Sequence, residues 1–330
     1  MPVDQSEDLQ RQLLCEPQAS AFGITPETVT ATVETRSQLL VKLYPALQQF
    51  CQQQLQWQQV PLTTAWLLWL PLAEWMAAAR SPLQRPMIQG ILGGQGTGKT
   101  TLAAIEAVIL ESLGYRVARL SLDDLYKTYA ERSILQQSDP RLRWRGPPGT
   151  HDVALGIQVL QEIRAGRATE LPRFDKSAWG GAGDRTTPAP IPPIDILLFE
   201  GWFVGVSPID PAAFESAPLP IVTDADRAFA YDSNTRLQSY LPLWELLDRL
   251  IVLYPHDYRF SQHWRRQAEQ GMIATGRSGM ADVEVDEFVT YFWRSLHPDL
   301  FIMPLLQNSN RADLIIELDA EHNPISIRKP

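Results

Sequence analysis

The sequence predicts an α/β fold in which a mostly parallel β-sheet is covered by helices on both faces. Two apolar segments, Met87–Leu92 and Ile194–Gly201, are typical of strands buried in a parallel sheet. Helical stretches separate these runs, as expected for successive βαβ units. Residues 1–86 lack strand-like alternation, so we expect an N-terminal helical extension (1–86) followed by the α/β domain (87–330).

The composition is that of an ordinary globular chain. Its 330 residues are 45% hydrophobic and 20% charged, which is enough to bury a substantial core. The 38 acidic against 29 basic residues give a net charge of −9, which argues against a nucleic-acid partner bound by a diffuse basic surface. The longest apolar stretch, residues 65–79, contains Pro71 and Glu74 and is too short to cross a bilayer, so we expect no membrane partner.

The N-terminus and the cysteines favour a cytoplasmic location. The first residues lack the basic region of a signal peptide and the Arg/Ser bias of a transit peptide. The two cysteines, Cys15 and Cys51, show no metal-ligand spacing, so we expect free thiols in a reducing compartment.

In the extension, Ser37–Gln58 has leucines at three- and four-residue spacing and is predicted to be a helix. Its expected role is to cover one flank of the α/β domain; the alternative is a partner-binding helix.

The most specific motif follows the first predicted strand and has the form GxxxxGK[ST]. Such a loop directs backbone N–H groups at the phosphates of a nucleotide, places a lysine on the β- and γ-phosphates and a hydroxyl on Mg²⁺. Here the lysine is Lys99 and the hydroxyl belongs to Thr100, and a predicted helix, Thr101–Leu113, follows. The nucleotide-binding residues of this phosphate loop are Gly93, Gly94, Gln95, Gly96, Thr97, Gly98, Lys99, Thr100 and Thr101.

Carboxylates follow two further predicted strands. Asp123 and Asp124 come after the strand Arg116–Leu122, where an open α/β sheet binds its ligands, and one of them is a candidate general base. The alternative is a solvated turn in which Asp124 caps the next helix. Tyr126 is a neighbouring candidate for substrate contact. Glu200 ends the strand Ile194–Gly201, from which it can reach the Mg²⁺ shell.

The segment between these two strands predicts an anion-binding loop. Residues 171–185 combine glycines with Arg173, Lys176 and Arg185, which suit an anionic substrate in an otherwise acidic protein. The alternative is a flexible surface excursion. Asp152, ahead of a predicted helix, is a natural N-cap that can also hold a polar ligand, and both interpretations stand.

A basic segment, residues 256–281, is predicted to form a lid. It contains Arg259, Arg265 and Arg266 near glycines, an arrangement typical of a lid that brings an arginine to a transferring phosphoryl group. A solvated helix face is the alternative for some of these arginines. Beyond the lid, two interpretations of the loop Asn308–Arg311 stay open: a plain turn, or a loop that borders the adenine.

The order of these motifs resembles the phosphoribulokinase, uridine kinase and pantothenate kinase superfamily of P-loop kinases. No Asn-Lys-x-Asp guanine signature is present, which weakens a GTPase reading. Within the superfamily, residues of about 60–330 resemble the D-glycerate 3-kinases of plants and cyanobacteria. The runs that carry this resemblance are RGPPGTHD, LPRFDKSAWGGAGDR, LLFEGWFVG, NTRLQSYLPLWELLD and HWRRQAEQGMIATGRSGM.

The resemblance implies a reaction and its residues. It implies ATP- and Mg²⁺-dependent phosphorylation of D-glycerate on its 3-hydroxyl, the last step of photorespiratory salvage. Asp123 matches the candidate base, with Asp124 in reserve, and Glu200 matches the acidic residue near the metal. Arg259, Arg265 and Arg266 all fall in the lid, and the resemblance does not align which of them meets the γ-phosphate; Arg265 is taken as the candidate. Charge suggests Lys176 or Arg185 for the substrate carboxylate. Plant relatives carry a transit peptide that this chain lacks, which suggests a bacterial, cytoplasmic version. A sister kinase and, further off, a switch ATPase remain alternatives.

Overall fold

The computed structural model describes residues 3–14, 18–274 and 279–330. Its strands are β1 Met87–Gly93, β2 Val117–Ser121, β3 Thr169–Asp175, β4 Asp184–Ile191, β5 Ile196–Gly201, β6 Arg249–Pro255, β7 Leu314–Leu318 and β8 Pro324–Arg328. Six of them form one sheet in the order β2-β5-β1-β6-β7-β8, parallel except for β8, which runs antiparallel to β7. The α/β class with a mostly parallel sheet is confirmed.

Helices flank this sheet and include the one predicted after the phosphate loop. Their bounds are α1 Val3–Leu13, α2 Gln18–Phe22, α3 Val29–Gln54, α4 Leu62–Thr64, α5 Leu70–Arg80, α6 Lys99–Ser112, α7 Tyr129–Ser138, α8 Val153–Arg164, α9 Asp224–Leu237, α10 Leu241–Trp244, α11 Phe260–Ala274, α12 Asp282–Ser295 and α13 Pro298–Phe301. A π-helical segment, Ala65–Trp69, joins α4 to α5. No helix in the described part of the chain is long and apolar enough to cross a membrane.

The sheet is buried on both faces, and β5 shows how one strand serves two cores. Ile196 and Leu198 point into a core shared with α3, α5 and α6, whereas Leu197 and Phe199 point into the opposite core with α8, α9 and α10. Alternation of side chains along a strand produces this division. The helices of the extension therefore cover one flank of the sheet, and α3 buries Leu47 completely there.

The segment 171–185 differs from the predicted loop. Strands β3 and β4 form an antiparallel hairpin outside the central sheet, and only residues 176–183 make its tip. Pro172 lies where the pairing register shifts between Leu171 and Arg173. Proline is tolerated at such an irregularity but obscures the strand pattern in the sequence, which explains why the hairpin was not predicted.

Candidate active site

The phosphate loop joins the carboxyl end of β1 to the N-terminus of α6. Gly98, at φ +82°, precedes the helix and offers no side-chain cap, so the first-turn N–H groups face outward, as in anion sites at helix N-termini. Gly96 has φ +79°, and a Cβ on it would lie 2.6 Å from Cβ of Trp264, so glycine is required. The Thr97 hydroxyl donates to the Gly94 carbonyl oxygen at 2.9 Å and stabilises the turn. Lys99 Nζ donates to the same oxygen at 3.4 Å.

Thr100 and Glu200 meet at the start of α6 and the end of β5. The Thr100 hydroxyl donates to Glu200 Oε1 at 3.0 Å, while the buried Oε2 has no hydrogen-bond partner among the described residues. A hydroxyl beside an unpartnered carboxylate oxygen fits a hard cation such as Mg²⁺, which prefers oxygen ligands. Within the described ranges, no group of three or more His, Cys, Asp or Glu side chains is arranged for a metal. A cation here would therefore complete its shell with phosphate oxygens and water.

Asp123 lies in a 3-10 turn, Leu122–Leu125, directly after β2. Its Oδ1 accepts a hydrogen bond from the Tyr126 hydroxyl at 2.8 Å, and its Oδ2 accepts one from Lys176 Nζ at 2.6 Å. Burial raises the pKa of this carboxyl, but the charge and hydrogen bond of Lys176, the Tyr126 hydroxyl and the charge of Lys99 outweigh it and bring the pKa to about 2. Asp123 is therefore ionised at neutral pH.

Asp124 closes the same turn. Its carboxylate accepts hydrogen bonds from the Ser121 N–H at 3.1 Å and from Arg173 Nη1 at 3.2 Å. Burial raises its pKa, although the Ser121 N–H and Arg173 oppose the shift. The contacts of Asp124 therefore match the capping alternative, but the element that it caps is this 3-10 turn and not the next α-helix. Arg173 is engaged by Asp124, and its role in binding substrate stays a prediction.

Asp152 and Arg185, two predicted substrate residues, pair with each other instead of facing the open space. Asp152 caps α8 by accepting from the Leu155 N–H at 3.0 Å, and Arg185 Nη2 donates to it at 2.8 Å. Arg185 Nε also donates to the Tyr126 carbonyl oxygen at 2.9 Å. The pair therefore fixes the backbone of Tyr126, and direct substrate contact by either residue stays a prediction.

One cleft of about 880 Å³, here called the polar cleft, brings together most of the remaining candidates. It extends from the phosphate loop past the ends of β2 and β5 to α11 and α12. The candidates that line it are Gln95, Gly96, Lys99, Thr100, Asp123, Asp124, Tyr126, Lys176, Glu200 and Arg265.

The lid arginines differ in their partners. Arg265 on α11 lines the polar cleft, pairs with Glu269 and lies 5.4 Å from the ring centroid of Phe288 on α12. Arg266 pairs with Asp286 and Arg259 with Asp257, and neither lines the cleft. Gly276 and Arg277 of the predicted lid, like Cys15, lie outside the described residues. Among the described lid arginines, Arg265 is thus the one that faces the cleft.

The residue-by-residue prediction missed Arg145. This side chain lines the polar cleft and donates from Nη1 to the carbonyl oxygens of Gly181 and Ala182, at 2.7 and 3.0 Å. Its guanidinium carbon lies 6.0 Å from the ring centroid of Tyr126, and no carboxylate in the described chain forms an ion pair with it. The signal was three arginines at alternate positions, 141, 143 and 145, in a turn-rich segment.

Of the two interpretations of Asn308–Arg311, the structure supports the plain turn. The loop precedes β7, and its residues 309–311 line a cleft together with Arg249 and Leu250 at the amino end of β6. The phosphate loop follows the carboxyl end of β1, at the opposite edge of the sheet. In the turn, the Arg311 N–H donates to the Asn308 carbonyl oxygen at 3.0 Å. It is the β7–β8 turn that reaches the phosphate loop, where His322 Nε2 lies 2.7 Å from the Gly96 carbonyl oxygen.

Known proteins are similar to this chain in fold and in sequence, although no family model matches it. The chloroplastic D-glycerate 3-kinase of Arabidopsis thaliana is 30% identical over 255 residues, which cover 73% of this chain and 54% of the relative. The chain thus spans about half the length of that protein. Uncharacterized kinase mug58 of Schizosaccharomyces pombe is 33% identical over 262 residues, covering 74% of this chain and 92% of the relative.

A solved structure agrees with these relatives. D-glycerate 3-kinase from Cryptococcus neoformans superimposes with a TM-score of 0.71 at 26% identity, covering 78% of this chain and 98% of that structure. The chain belongs to the family of P-loop kinases that contains these proteins, within the uridine kinase superfamily, and it is a kinase.

Proposed function

We propose that this kinase transfers the γ-phosphoryl group of ATP to the 3-hydroxyl of D-glycerate, giving 3-phosphoglycerate and ADP. The observation that carries the proposal is the polar cleft beside the phosphate loop, which an ionised carboxylate, Asp123, and an arginine, Arg145, both line. In the part of the chain that the structure describes, Arg145 has no carboxylate partner. A small acid with a hydroxyl at its other end matches both groups. The names of the Arabidopsis and Cryptococcus relatives support the same acceptor.

The phosphate end is held by Lys99 and the open N–H groups at the start of α6. Thr100 and Glu200 would hold Mg²⁺ through the hydroxyl and the unpartnered Oε2. When bound, Mg²⁺ neutralises charge on the β- and γ-phosphate oxygens. Arg265, on the far wall of the cleft, would stabilise charge that develops on the transferring group.

At the acceptor, Asp123 orients the attacking hydroxyl and takes its proton. The bond from the hydroxyl oxygen to the γ-phosphorus forms, the bond to the β,γ-bridging oxygen breaks, and the proton moves to the Asp123 carboxylate. A carboxylate with a pKa of about 2 is a weak base. Its main contribution is therefore orientation, with proton transfer late, as the hydroxyl becomes acidic.

The acid end of the substrate is assigned to Arg145. Lys176, predicted for this role, already donates to Asp123 at 2.6 Å, whereas the hydrogen bonds of Arg145 to other described residues go to backbone carbonyl oxygens. Arg145 also lies over the ring of Tyr126, whose hydroxyl contacts Asp123. Tyr126 thus links the groups proposed for the two ends of a three-carbon hydroxy acid.

The proposal is tested by ADP release from MgATP with the purified chain and a set of acceptors. We expect strong stimulation by D-glycerate, weak stimulation by glycerol, which lacks the carboxylate, and weak stimulation by L-glycerate. Faster turnover with uridine, pantothenate or ribulose 5-phosphate would show that the acceptor is not D-glycerate, while the protein would still be a small-molecule kinase. ATP hydrolysis that no small molecule stimulates would favour a switch ATPase. We also propose a cytoplasmic location and a role in photorespiratory salvage.

A further inference from the structure

A second cleft, of about 540 Å³, opens on the phosphate loop and takes no part in the acceptor chemistry. We call it the aromatic cleft. The residues of the loop and of α6 that line it are Gly96, Thr97, Gly98, Thr101, Leu102 and Ile105. Gly96 also lines the polar cleft, so the two clefts meet at the loop.

The two clefts lie on opposite sides of β1. In the sheet, β5 and β2 follow β1 in one direction and carry Glu200 and Asp123 at their carboxyl ends. In the other direction β6 and β7 contribute Leu253 and Leu318 to the aromatic cleft. A group held on the loop is therefore flanked by charged side chains on one side and by the aromatic cleft on the other.

The outer wall of the aromatic cleft comes from the N-terminal extension. Trp57, between α3 and α4, is 40% exposed, and its ring stacks on the buried ring of Trp69 with a centroid distance of 6.4 Å and an angle of 16°. Gln56, just before it, has φ +59°, a left-handed conformation that glutamine rarely adopts. The chain thus turns sharply to place a large aromatic side chain, still partly open to solvent, at the mouth of the cleft.

The facing wall comes from the β7–β8 turn. His322 lies 2.7 Å from the Gly96 carbonyl oxygen through Nε2 and stacks on Trp264 of α11 with a centroid distance of 4.2 Å. Trp264 itself donates to the Ala320 carbonyl oxygen at 2.7 Å. This wall is therefore tied to both the phosphate loop and α11.

The geometry of phosphoryl transfer assigns the occupant. In-line transfer requires that the acceptor and the leaving ADP lie on opposite sides of the γ-phosphorus. Since the acceptor groups occupy the β5 side of β1, the nucleoside must leave the loop toward the β6 side. A planar heteroaromatic base stacks well on an aromatic side chain, and the volume is in the range of roughly 300–1,000 Å³ typical of small-molecule sites.

We propose that the aromatic cleft binds the base of the nucleoside di- or triphosphate and that the N-terminal extension, through Trp57, supplies its stacking wall. The extension is then part of the nucleotide site as well as a cover for the sheet. The proposal rests on the proposed function only in requiring a nucleotide on the phosphate loop, because the acceptor plays no part in it.

The test measures binding by titration calorimetry with two probes, ADP and inorganic tripolyphosphate, in the absence of any acceptor. For Trp57→Ala we expect ADP affinity to fall about tenfold or more while tripolyphosphate affinity is unchanged, because only ADP carries a base. Trp57→Phe should retain most of the ADP affinity. The matched control is Tyr44→Ala, which removes another exposed aromatic side chain of the extension, 38% exposed on α3, and should leave both affinities unchanged.

Two results would overturn the proposal: unchanged ADP affinity in Trp57→Ala, or equal losses for ADP and tripolyphosphate, which would indicate general damage to the loop. Failure of the acceptor assignment looks different. A chain that binds ADP in a Trp57-dependent way but does not phosphorylate D-glycerate keeps this site and loses the acceptor. If the chain phosphorylates D-glycerate and Trp57→Ala binds ADP as tightly as the wild type, the acceptor assignment stands and the proposed base site is lost.

Discussion

The polar cleft and the aromatic cleft share the phosphate loop but are lined by different kinds of side chains. In the polar cleft, the carboxylate of Asp123 accepts two hydrogen bonds, and its pKa is set by burial, which raises it, and by Lys176 and neighbouring groups, which lower it. In the aromatic cleft, rings from three separate segments provide shape, and the contacts that hold them are stacking and single hydrogen bonds to backbone oxygens.

This difference follows from what each side has to do. Chemistry needs charges at defined positions, and residues at the ends of central strands supply them because the sheet holds those ends rigidly. A base needs only a flat apolar surface, which helices outside the α/β domain can provide. Substitutions on the polar side should therefore change turnover or acceptor affinity, whereas those on the aromatic side should change nucleotide affinity alone.

The largest expected effect is that of Asp123→Asn. Loss of the carboxylate removes the group that orients and deprotonates the hydroxyl, so kcat should fall by roughly 10² to 10⁴. ADP affinity, measured by calorimetry, should stay within about twofold of the wild type, because Asp123 lies on the acceptor side of β1. Near-normal turnover would remove the base assignment, and a large loss of ADP affinity would break the division between the two clefts.

Arg145→Ala should give the next largest effect. A hydrogen-bonded pair of charged groups contributes about 1.5–3 kcal/mol, so the Michaelis constant for D-glycerate should rise roughly 10- to 150-fold, with a smaller change in kcat. The matched comparison is Arg173→Ala, since Arg173 pairs with Asp124 and does not line the polar cleft. Steady-state kinetics at saturating ATP separate the two variants. A larger rise of the Michaelis constant for Arg173→Ala would indicate that the substrate carboxylate binds to Arg173 on the β3–β4 hairpin.

Lys176→Met should produce a smaller effect that appears as a pH shift. Asp123 must be ionised to act, and Lys176 helps to lower its pKa to about 2. Without the charge and hydrogen bond of Lys176, burial should raise the pKa of Asp123, so the acidic limb of kcat/KM should move to higher pH. Measurement of kcat/KM for D-glycerate across the acid range checks this. An unmoved limb in Lys176→Met would show that Lys176 does not control the ionisation of Asp123.

The sequence predicted best those parts of the candidate site that depend on local spacing along the chain. The phosphate loop is a contiguous motif, and Asp123 and Glu200 were found because each follows an apolar strand and parallel strands end at one edge of a sheet. The choice of Arg265 over Arg266 and Arg259 is a different matter. It depends on which face of α11 meets the cleft, and helical spacing alone does not give that.

The parts that escaped prediction depend on distant pairings. Arg145 opens the run RGPPGTHD, but that run by itself gives the arginine no role. It is held in the cleft by carbonyl oxygens at the tip of the β3–β4 hairpin. The sequence left open whether Asn308–Arg311 borders the adenine, since a loop beside a strand does not reveal the edge of the sheet on which it lies. Trp57 was not singled out because its position beside the phosphate loop arises from packing of the extension, far away in sequence.

The most direct test of the proposed reaction identifies the product formed from MgATP and D-glycerate. Proton-coupled ³¹P NMR distinguishes the two possible esters, because phosphorus on the primary 3-oxygen couples to two protons and phosphorus on the secondary 2-oxygen couples to one. We predict a triplet in the phosphomonoester region that grows with ADP and that grows more slowly for Asp123→Asn, by roughly the 10²- to 10⁴-fold loss expected in kcat. A doublet, or ADP formation without any new ester of glycerate, would contradict the proposal.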